Sequence, residues 1–511
     1  MTLIWIIAIF FAGGLLCWAA QFVNRVLIKW IALIAAVANL ALVGAAYAEY
    51  RNGSAPGDWL IDYTVNWIPS FAIKFHIALD GLSLVLLLLT AFLGVLAVLC
   101  SWKEIKERVG FYYFNLLWTL AGITGVFVAM DLFLFYFFWE VMIVPMYFLI
   151  AIWGDSNRRY ASYKFFIFTQ AGGLLMLVSI LALFFINHAN TGNYTFDFFE
   201  LQNITLSVAE GRWIMLGFLV AFVIKLPAVP FHSWLPDAHS EAPTAGSLIL
   251  AGLLLKTGAY GIMRFVITLF PQNSAEIAQW AMLVGVIGII YGAMLAFAQN
   301  DLKRFIAYTS VSHMGFILLG VYSFREMAFD GVVMQMLTHG ISTGALFAMA
   351  GMIKERLHTR EMGNMGGLWT GMPLMGGLAL LFAMASLGLP MMGNFIAEFL
   401  ILVGAYEVNP TLTIIASIGL VFAALYSLRM MQRVFFGPRT TPDRHPEPFL
   451  RQGELREGSA HSASAVYDLS AREFTILISL SVAIVILGLF PQPVLDSVNT
   501  VVQSLIQKNT P

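Results

Sequence analysis

Long apolar segments recur along almost the whole chain and are separated by short polar stretches. A helix that crosses the hydrocarbon core of a membrane needs about 20 mostly apolar residues. By that criterion the pattern predicts fourteen spans, near residues 2–20, 28–48, 80–101, 110–129, 131–152, 163–187, 213–240, 244–266, 276–298, 302–323, 329–352, 371–405, 411–435 and 472–493. The sequence therefore predicts an all-α integral membrane fold.

Two of these segments, 213–240 and 371–405, are too long for one span and are interrupted by proline and glycine. The interruptions lie near 226–230 and 388–394, and each contains a Leu-Pro dipeptide. Such residues break the helical hydrogen-bond ladder, and lipid cannot satisfy the freed groups. Because five spans separate the two breaks, the two halves would run in opposite directions through the membrane, and inverted repeats with broken helices are typical of transporters.

The composition supports a membrane protein and excludes several other classes. Of the 511 residues, 59% are hydrophobic and 11% are charged, and the mean hydropathy is +0.81. A soluble domain has about a quarter of its residues charged. Two cysteines cannot form a disulfide framework, and 28 basic against 29 acidic residues give no attraction to nucleic acid. There is also no nucleotide-binding motif, so an ion gradient or a partner must supply the energy.

The distribution of Lys and Arg predicts the orientation. Twenty of the 28 basic residues lie in loops that join odd-numbered spans to the next even-numbered span, and six lie on the opposite side. Since basic residues accumulate on the cytoplasmic side, both termini are predicted outside and the long 436–471 loop inside.

Six ionisable residues fall near the middle of six different spans. The rise of 1.5 Å per residue puts Glu140 about 13 Å, Lys225 about 18 Å and Lys256 about 20 Å from the start of their spans. Charges at such depth cost about 2.5–3.5 kcal/mol each and are functional candidates by default. The six residues are Glu140, Lys225, Lys256, His313, His339 and Glu398.

A row of such groups in the membrane plane is suited to proton relay. Desolvation favours a neutral lysine, whereas a nearby carboxylate favours the charged form. If Glu140 approaches and leaves Lys225, the lysine alternately holds and releases a proton. Lys256 and the two histidines would pass the proton on through water, and Glu398 would be the last acceptor.

Structural roles for the same residues stay open at this point. Glu140 and Lys225 could form a buried ion pair without function, and Lys256 could be the passive partner of a carboxylate. His313 and His339 could each serve only as an interhelical hydrogen bond.

Two further histidines, His232 and His239, follow the first break and could suggest a metal site. Because no cysteine or second ligand cluster accompanies them, capping of the broken helix is favoured over metal binding.

Three stretches carry a family resemblance. Residues 225–247 (KLPAVPFHSWLPDAHSEAPTAGS), 255–261 (LKTGAYG) and 301–315 (DLKRFIAYTSVSHMG) closely resemble the proton-translocating, antiporter-like membrane subunits of respiratory complex I. The resemblance extends over essentially the whole chain. Multisubunit sodium/proton antiporters share the fold and much of the motif, and a subunit of such an antiporter is the alternative.

The resemblance implies a division of the chain. It gives N-terminal helices over 1–109, a first five-helix repeat over 110–266, an inverted second five-helix repeat over 276–435, and a cytoplasmic loop with a last spanning helix over 436–511. It also implies a Glu–Lys pair, matching Glu140 and Lys225, and a linking lysine, matching Lys256.

The distal charge on the second broken helix distinguishes branches of the family. It is usually lysine in L-type and N-type members and in the antiporters, so Glu398 is similar to the M-type branch. Nothing after residue 493 would supply the long lateral helix of the L type.

The resemblance further implies partners and a location. The chain would lie in the membrane arm of NADH:quinone oxidoreductase, between the N-type and L-type subunits and in contact with phospholipids of a bacterial inner membrane, with both termini periplasmic. NADH, FMN, iron–sulfur clusters and quinone would be bound by other subunits, so this chain would hold no cofactor or metal. A structural spacer that carries no protons is a further possibility.

Overall fold

The computed structural model describes residues 2–51, 59–438 and 467–509. The first part contains α1 (Thr2–Ala19), α2 (Arg25–Arg51), β1 (Ile61–Ile68), β2 (Ile73–Leu79), α3 (Gly81–Glu104), α4 (Val109–Val128), α5 (Leu132–Trp153), α6 (Arg158–Thr191), α7 (Phe198–Leu201), α8 (Val208–Lys225) and α9 (Trp234–Glu241). The second part contains α10 (Thr244–Leu269), α11 (Pro271–Phe297), α12 (Leu302–Val321), α13 (Glu326–Leu357), α14 (Leu368–Gly371), α15 (Pro373–Ser386), α16 (Gly393–Tyr406), α17 (Pro410–Phe436), α18 (Ala471–Leu489) and α19 (Gln492–Asn509).

The all-α membrane fold predicted from the sequence is confirmed. Within the described residues, twelve helices are long and apolar enough to cross a membrane, and each coincides with one of the predicted spans. The other two predicted spans, 213–240 and 371–405, are the interrupted ones. The first consists of α8 and α9, and the second of α15 and α16, so neither is a single continuous helix. A total of fourteen crossings stays a prediction.

The first break separates α8 from α9 where two prolines interrupt the backbone ladder. The helix α8 ends at Lys225, and the indole Nε1 of Trp234 donates to the carbonyl oxygen of Ile224 at 2.9 Å. This side chain satisfies one of the carbonyls that the end of a helix leaves free. The break therefore lies against protein, as the absence of hydrogen-bonding lipid groups requires.

The second break separates α15 from α16. Gly388 adopts a φ of +77°, a left-handed conformation that favours glycine. A Cβ atom at this position would lie 3.1 Å from Oε2 of Glu398, so the break also brings the backbone close to that carboxylate.

Two buried helices, α10 and α13, lie at the centre of the molecule; α10 is buried throughout, and α13 is buried from Gly331 to Ile353. They approach closely where Gly252 faces Gly340, because a Cβ atom at Gly340 would lie 2.8 Å from the carbonyl oxygen of Gly252. In α10, wide π-helical turns over Leu250–Leu254 and Ile262–Val266 flank the turn that carries Lys256. Such bulges release backbone carbonyls from the regular ladder and recur at functional sites.

A hairpin and a C-terminal helix were not predicted. The strands β1 and β2 pair antiparallel, from Ile61 opposite Leu79 to Ile68 opposite Ile73. The helix α19 buries an apolar stripe of Val498, Val502 and Leu505. Residues 439–466, which make up most of the predicted 436–471 loop, lie outside the described residues.

Candidate proton-relay site

Glu140 and Lys225 face each other without direct contact. Glu140 on α5 is half-buried, and its Oε1 accepts a hydrogen bond from Nε2 of Gln170 at 3.3 Å. Lys225 is fully buried at the end of α8, and its Nζ has no hydrogen-bond partner among the described residues. The carboxylate acts on the lysine only electrostatically. A permanent structural ion pair between Glu140 and Lys225 is therefore not the arrangement found.

Aromatic rings take the place of a carboxylate around Lys225. Its Nζ lies 5.4 Å from the ring centre of Trp139 and 5.3 Å from that of Phe165. The faces of aromatic rings attract an ammonium group, but more weakly than a contacting carboxylate does. The buried indole Nε1 of Trp139 also lacks a partner. The rings around Lys225 thus attract its ammonium group without fixing it in a single hydrogen-bonded arrangement.

Lys256 and His339 are directly bonded. Nζ of Lys256 lies 2.7 Å from Nδ1 of His339, and it also donates to the carbonyl oxygen of Ala251. That carbonyl lies in the first π-helical turn of α10. The close approach of α10 and α13 at Gly252 and Gly340 brings the two side chains together. No carboxylate within the described residues pairs with Lys256, so its reading as the passive partner of an acid is not supported.

His313 and Glu398 form the second bonded pair. Nδ1 of His313 on α12 lies 2.9 Å from Oε1 of Glu398 on α16, and both side chains are buried. The other ring nitrogen, Nε2, lies 3.4 Å from the hydroxyls of Ser386 and Tyr426. Helices α12, α15, α16 and α17 therefore meet around this imidazole.

The two pairs adjoin each other. The ring centres of His313 and His339 are 5.6 Å apart, so four of the six predicted residues form one contiguous group, which we call the distal group: Lys256, His339, His313 and Glu398. Glu140 and Lys225 form a separate group, which we call the proximal pair. The helices of the two groups are packed closely, because a Cβ atom at Gly258 would lie 2.8 Å from the backbone nitrogen of Leu226.

Neither reading of His239 holds. Both ring nitrogens are buried and without a hydrogen-bond partner, and the ring stacks on Phe347 at 4.5 Å, so it does not cap the broken helix. His232 lies within the break with its ring centre 5.5 Å from that of Tyr291, and its Nδ1 has no hydrogen-bond partner among the described residues, so capping by His232 stays a prediction. No group of three residues suited to metal binding occurs among the described His, Cys, Asp and Glu side chains.

A charged cluster outside the spanning helices was not predicted from the sequence. His76 on β2 lies 2.7 Å from Asp197 through Nδ1 and 2.9 Å from Asp62 through Nε2. Burial lowers the pKa of His76, but the hydrogen bonds and charges of the two carboxylates outweigh it and raise the pKa above its ordinary value. Burial raises the pKa of Asp197, and the bond and charge of His76 outweigh it and lower that pKa. The pair joins the hairpin to the loop before α7.

Comparison with known proteins gives consistent matches. Residues 129–423 match the family described as NADH:quinone oxidoreductase/Mrp antiporter, transmembrane. The chain is 52% identical to NADH-quinone oxidoreductase subunit M of Pseudomonas aeruginosa, over 97% of this chain and 96% of that protein. It is 48% identical to subunit M of Escherichia coli K12, over 99% and 98%.

A solved structure matches over the full length. A chain of respiratory complex I from Thermus thermophilus with bound NADH superposes with a TM-score of 0.86 and 27% identity, covering 100% of both chains.

Proposed function

The chain belongs to the NADH:quinone oxidoreductase/Mrp antiporter transmembrane family, and from this premise we propose that it is the M-type proton-translocating membrane subunit of NADH:quinone oxidoreductase. It is then a subunit of an enzyme and carries no redox centre of its own. The observation that carries the proposal is the distal group, in which Lys256, His339, His313 and Glu398 are joined in the membrane interior. Ionisable groups of this kind exchange protons. Because burying them in a membrane costs free energy, a functional role is expected before a purely structural one.

We propose that the proximal pair delivers protons to the distal group. Contact with the Glu140 carboxylate stabilises a protonated Lys225, and loss of that contact favours release of the proton. The released proton passes from Lys225 to Lys256 through water, then to His339 and His313, and reaches Glu398 last. Each transfer inside the distal group spans one bonded or adjoining pair, whereas the transfer from the proximal pair crosses a gap.

The wider organisation follows the same proposal. The first repeat covers 110–266 and the inverted second repeat 276–435, after N-terminal helices over 1–109 and before the loop and last helix over 436–511. Both termini are periplasmic in a bacterial inner membrane. The subunit lies between the N-type and L-type subunits of the membrane arm and contacts phospholipids. NADH, FMN, iron–sulfur clusters and quinone are bound by other subunits, whose reaction drives the movement of protons here.

Two other functions make different predictions. A sodium/proton antiporter subunit belongs to the same family, but Glu398 in place of lysine on the second broken helix disfavours it. A structural spacer needs no ionisable residues at the membrane centre, and the bonded distal group disfavours that function.

Replacing Glu140 by Gln in the native host tests the proposal. This substitution keeps the size and the bond to Gln170 but removes the charge that acts on Lys225. We expect NADH oxidation and NADH-driven acidification of inverted membrane vesicles to fall together, by about tenfold, while the complex still assembles on a native gel. Glu276→Gln, which removes an exposed carboxylate paired with Arg212, is the matched control and should leave both rates unchanged.

The other outcomes identify the alternatives. If NADH oxidation and acidification are unchanged and sodium/proton exchange is lost, the chain is an antiporter subunit. If both rates are unchanged in an assembled complex and sodium exchange is absent from the wild type, the chain is a spacer.

A further inference from the structure

Gln335 on α13 is a buried amide with no partner. It is fully buried, and neither Oε1 nor Nε2 has a hydrogen bond within the part of the chain that the structure describes. A buried amide that leaves both its donor and its acceptor unpaired is unfavourable, and such groups are rare in folded proteins. Gln335 was not singled out from the sequence, because an amide in an apolar helix carries no charge to mark it.

Helical geometry puts Gln335 in the crease between α12 and α16. Gly331, one turn before it, faces α16, since a Cβ atom there would lie 2.6 Å from the backbone nitrogen of Ile401. Val332, three residues before it, faces α12, since its Cγ2 would lie 2.7 Å from a Cβ atom at Gly320. Residues three and four apart lie on the same side of a helix. The side chain of Gln335 therefore points between α12 and α16.

Two other unpartnered atoms of the distal group lie at the same crease. His339 is one turn after Gln335 on α13, and its Nε2 has no partner. Glu398 on α16 reaches His313 on α12 through Oε1, and its Oε2 has no partner. Each of the two hydrogen-bonded pairs thus leaves one unpaired atom at the same crease as Gln335: Nε2 of His339 in the first pair and Oε2 of Glu398 in the second.

The hydrogen-bonding capacities of these atoms are complementary. When Lys256 is protonated, its Nζ donates to Nδ1 of His339, so the neutral imidazole carries its hydrogen on Nε2, which is then a free donor. Because Oε1 of Glu398 is engaged by His313, Oε2 is a free acceptor. A glutamine side chain has one acceptor oxygen and a donor amino group. One amide between the two groups has the acceptor oxygen that Nε2 of His339 needs and the donor that Oε2 of Glu398 needs.

We propose that Gln335, unpaired in the structure, bridges the two halves of the distal group when a proton is transferred: its Oε1 then accepts from Nε2 of His339 and its Nε2 donates to Oε2 of Glu398. This role rests on the proposed function of the distal group. The amide takes up no proton itself, so Gln335 is a positioning residue. It holds His339 in the tautomer that can accept a proton from Lys256 at Nδ1, and it orients Glu398 toward His313.

Three substitutions at this position test the bridge. Gln335→Leu removes both hydrogen-bonding atoms at similar volume, and Gln335→Met does so with a flexible chain. Gln335→Glu restores an acceptor and a donor together only when the new carboxyl is protonated. Met336→Leu is the control, since it changes a buried neighbour on the same helix that has no hydrogen-bonding role.

We expect Leu and Met at this position to lower NADH-driven acidification of inverted vesicles by about tenfold at every pH, in an assembled complex. The Glu variant should recover activity relative to the wild type as the pH falls from about 8 to about 6. If Gln335 only filled space in the core, the Leu, Met and Glu variants would have the pH profile of the wild type. If the Leu variant does not assemble, the Met and Glu variants decide.

A parallel Lys256→Met variant separates this inference from the function on which it rests. If Lys256→Met abolishes pumping but the Gln335 variants pump at the wild-type rate, the bridge is wrong and the relay stands. If Lys256→Met also pumps at the wild-type rate, the proposed function is wrong. An unshifted pH profile of the Glu variant contradicts the bridge in either case.

Discussion

At the first break, Nζ of Lys225 faces the rings of Trp139 and Phe165 at 5.4 and 5.3 Å and has no hydrogen-bond partner. At the second break, Glu398 is bonded to His313 at 2.9 Å, and the group continues to Lys256. Both breaks thus place an ionisable residue in the protein interior, but among the described residues only Glu398 is hydrogen-bonded to a neighbouring side chain, whereas Nζ of Lys225 has no such bond. On the proposed function, we expect proton transfer to be controlled at the proximal pair, where a contact must form, and conducted by the distal group, where contacts already exist.

The largest expected effect comes from removing the lysine of the distal group. Lys256→Met keeps an apolar chain of similar length but leaves His339 without its donor at Nδ1. We expect NADH-driven acidification and NADH oxidation to fall by about tenfold or more in an assembled complex. Lys106→Met removes an exposed lysine and should leave both rates unchanged. Wild-type rates in Lys256→Met would show that the distal group does not conduct.

A smaller effect is expected from separating α10 and α13. In Gly340→Ala the new Cβ would lie 2.8 Å from the carbonyl oxygen of Gly252, so the helices must move apart and stretch the contact between Lys256 and His339. We expect a destabilisation of about 1–3 kcal/mol, measured by thermal unfolding of the purified complex, together with a partial loss of pumping. Gly344→Ala is the control on the same helix, since its nearest neighbour would be Leu248 at 3.7 Å. Equal behaviour of the two variants would contradict the close approach.

The backbone at the second break should be somewhat more tolerant. Gly388→Ala places a side chain in a left-handed conformation, at a cost of about 1–2 kcal/mol, and brings its Cβ to 3.1 Å from Glu398. We expect pumping to fall about threefold as the carboxylate is displaced from His313. Gly377→Ala in α15 is the matched control, because nothing lies within 4 Å of its Cβ position. Unchanged pumping in Gly388→Ala would show that the position of Glu398 is not critical.

The smallest effect on transport is expected at His76, which lies outside the spanning helices. Because its pKa is raised in the folded protein, the stabilisation from protonated His76 is complete below its ordinary pKa and is lost as the pH rises through the raised value. The lowered pKa of Asp197 gives a stabilisation that is lost only as the pH falls through that lowered value. The clasp between hairpin and loop is therefore strongest between these two limits.

Hydrogen exchange of residues 61–79 in the purified complex measures this clasp. After correction for the intrinsic rise of amide exchange with pH, protection should fall as the pH rises through the raised pKa of His76, and His76→Gln should remove that fall while leaving pumping near the wild-type rate. A pH dependence of the corrected protection that persists in His76→Gln would assign the clasp to other groups.

The sequence was sufficient to predict the two breaks and the twelve long apolar helices of the described residues, because proline and apolar length are local signals, but it did not predict the C-terminal helix α19. The sequence could not show which of the six ionisable residues touch, and their shared role in a relay stays a prediction. Lys256 and His339 are 83 residues apart, and their contact depends on how closely two glycines let the helices approach. The aromatic surroundings of Lys225 and the unpaired amide of Gln335 likewise depend on how the helices pack, so neither could be predicted from the sequence.

A double substitution tests most directly whether the two breaks belong to one route. We would measure NADH-driven acidification in inverted vesicles carrying Lys225→Met, Glu398→Gln, or both, with assembly verified on native gels. Residues that act in series lose little more when combined than the more severe single variant loses, whereas independent contributions multiply. We predict that the double variant pumps at the rate of the slower single variant. A multiplied loss, or a wild-type rate in either single variant, would contradict a single relay from Lys225 to Glu398.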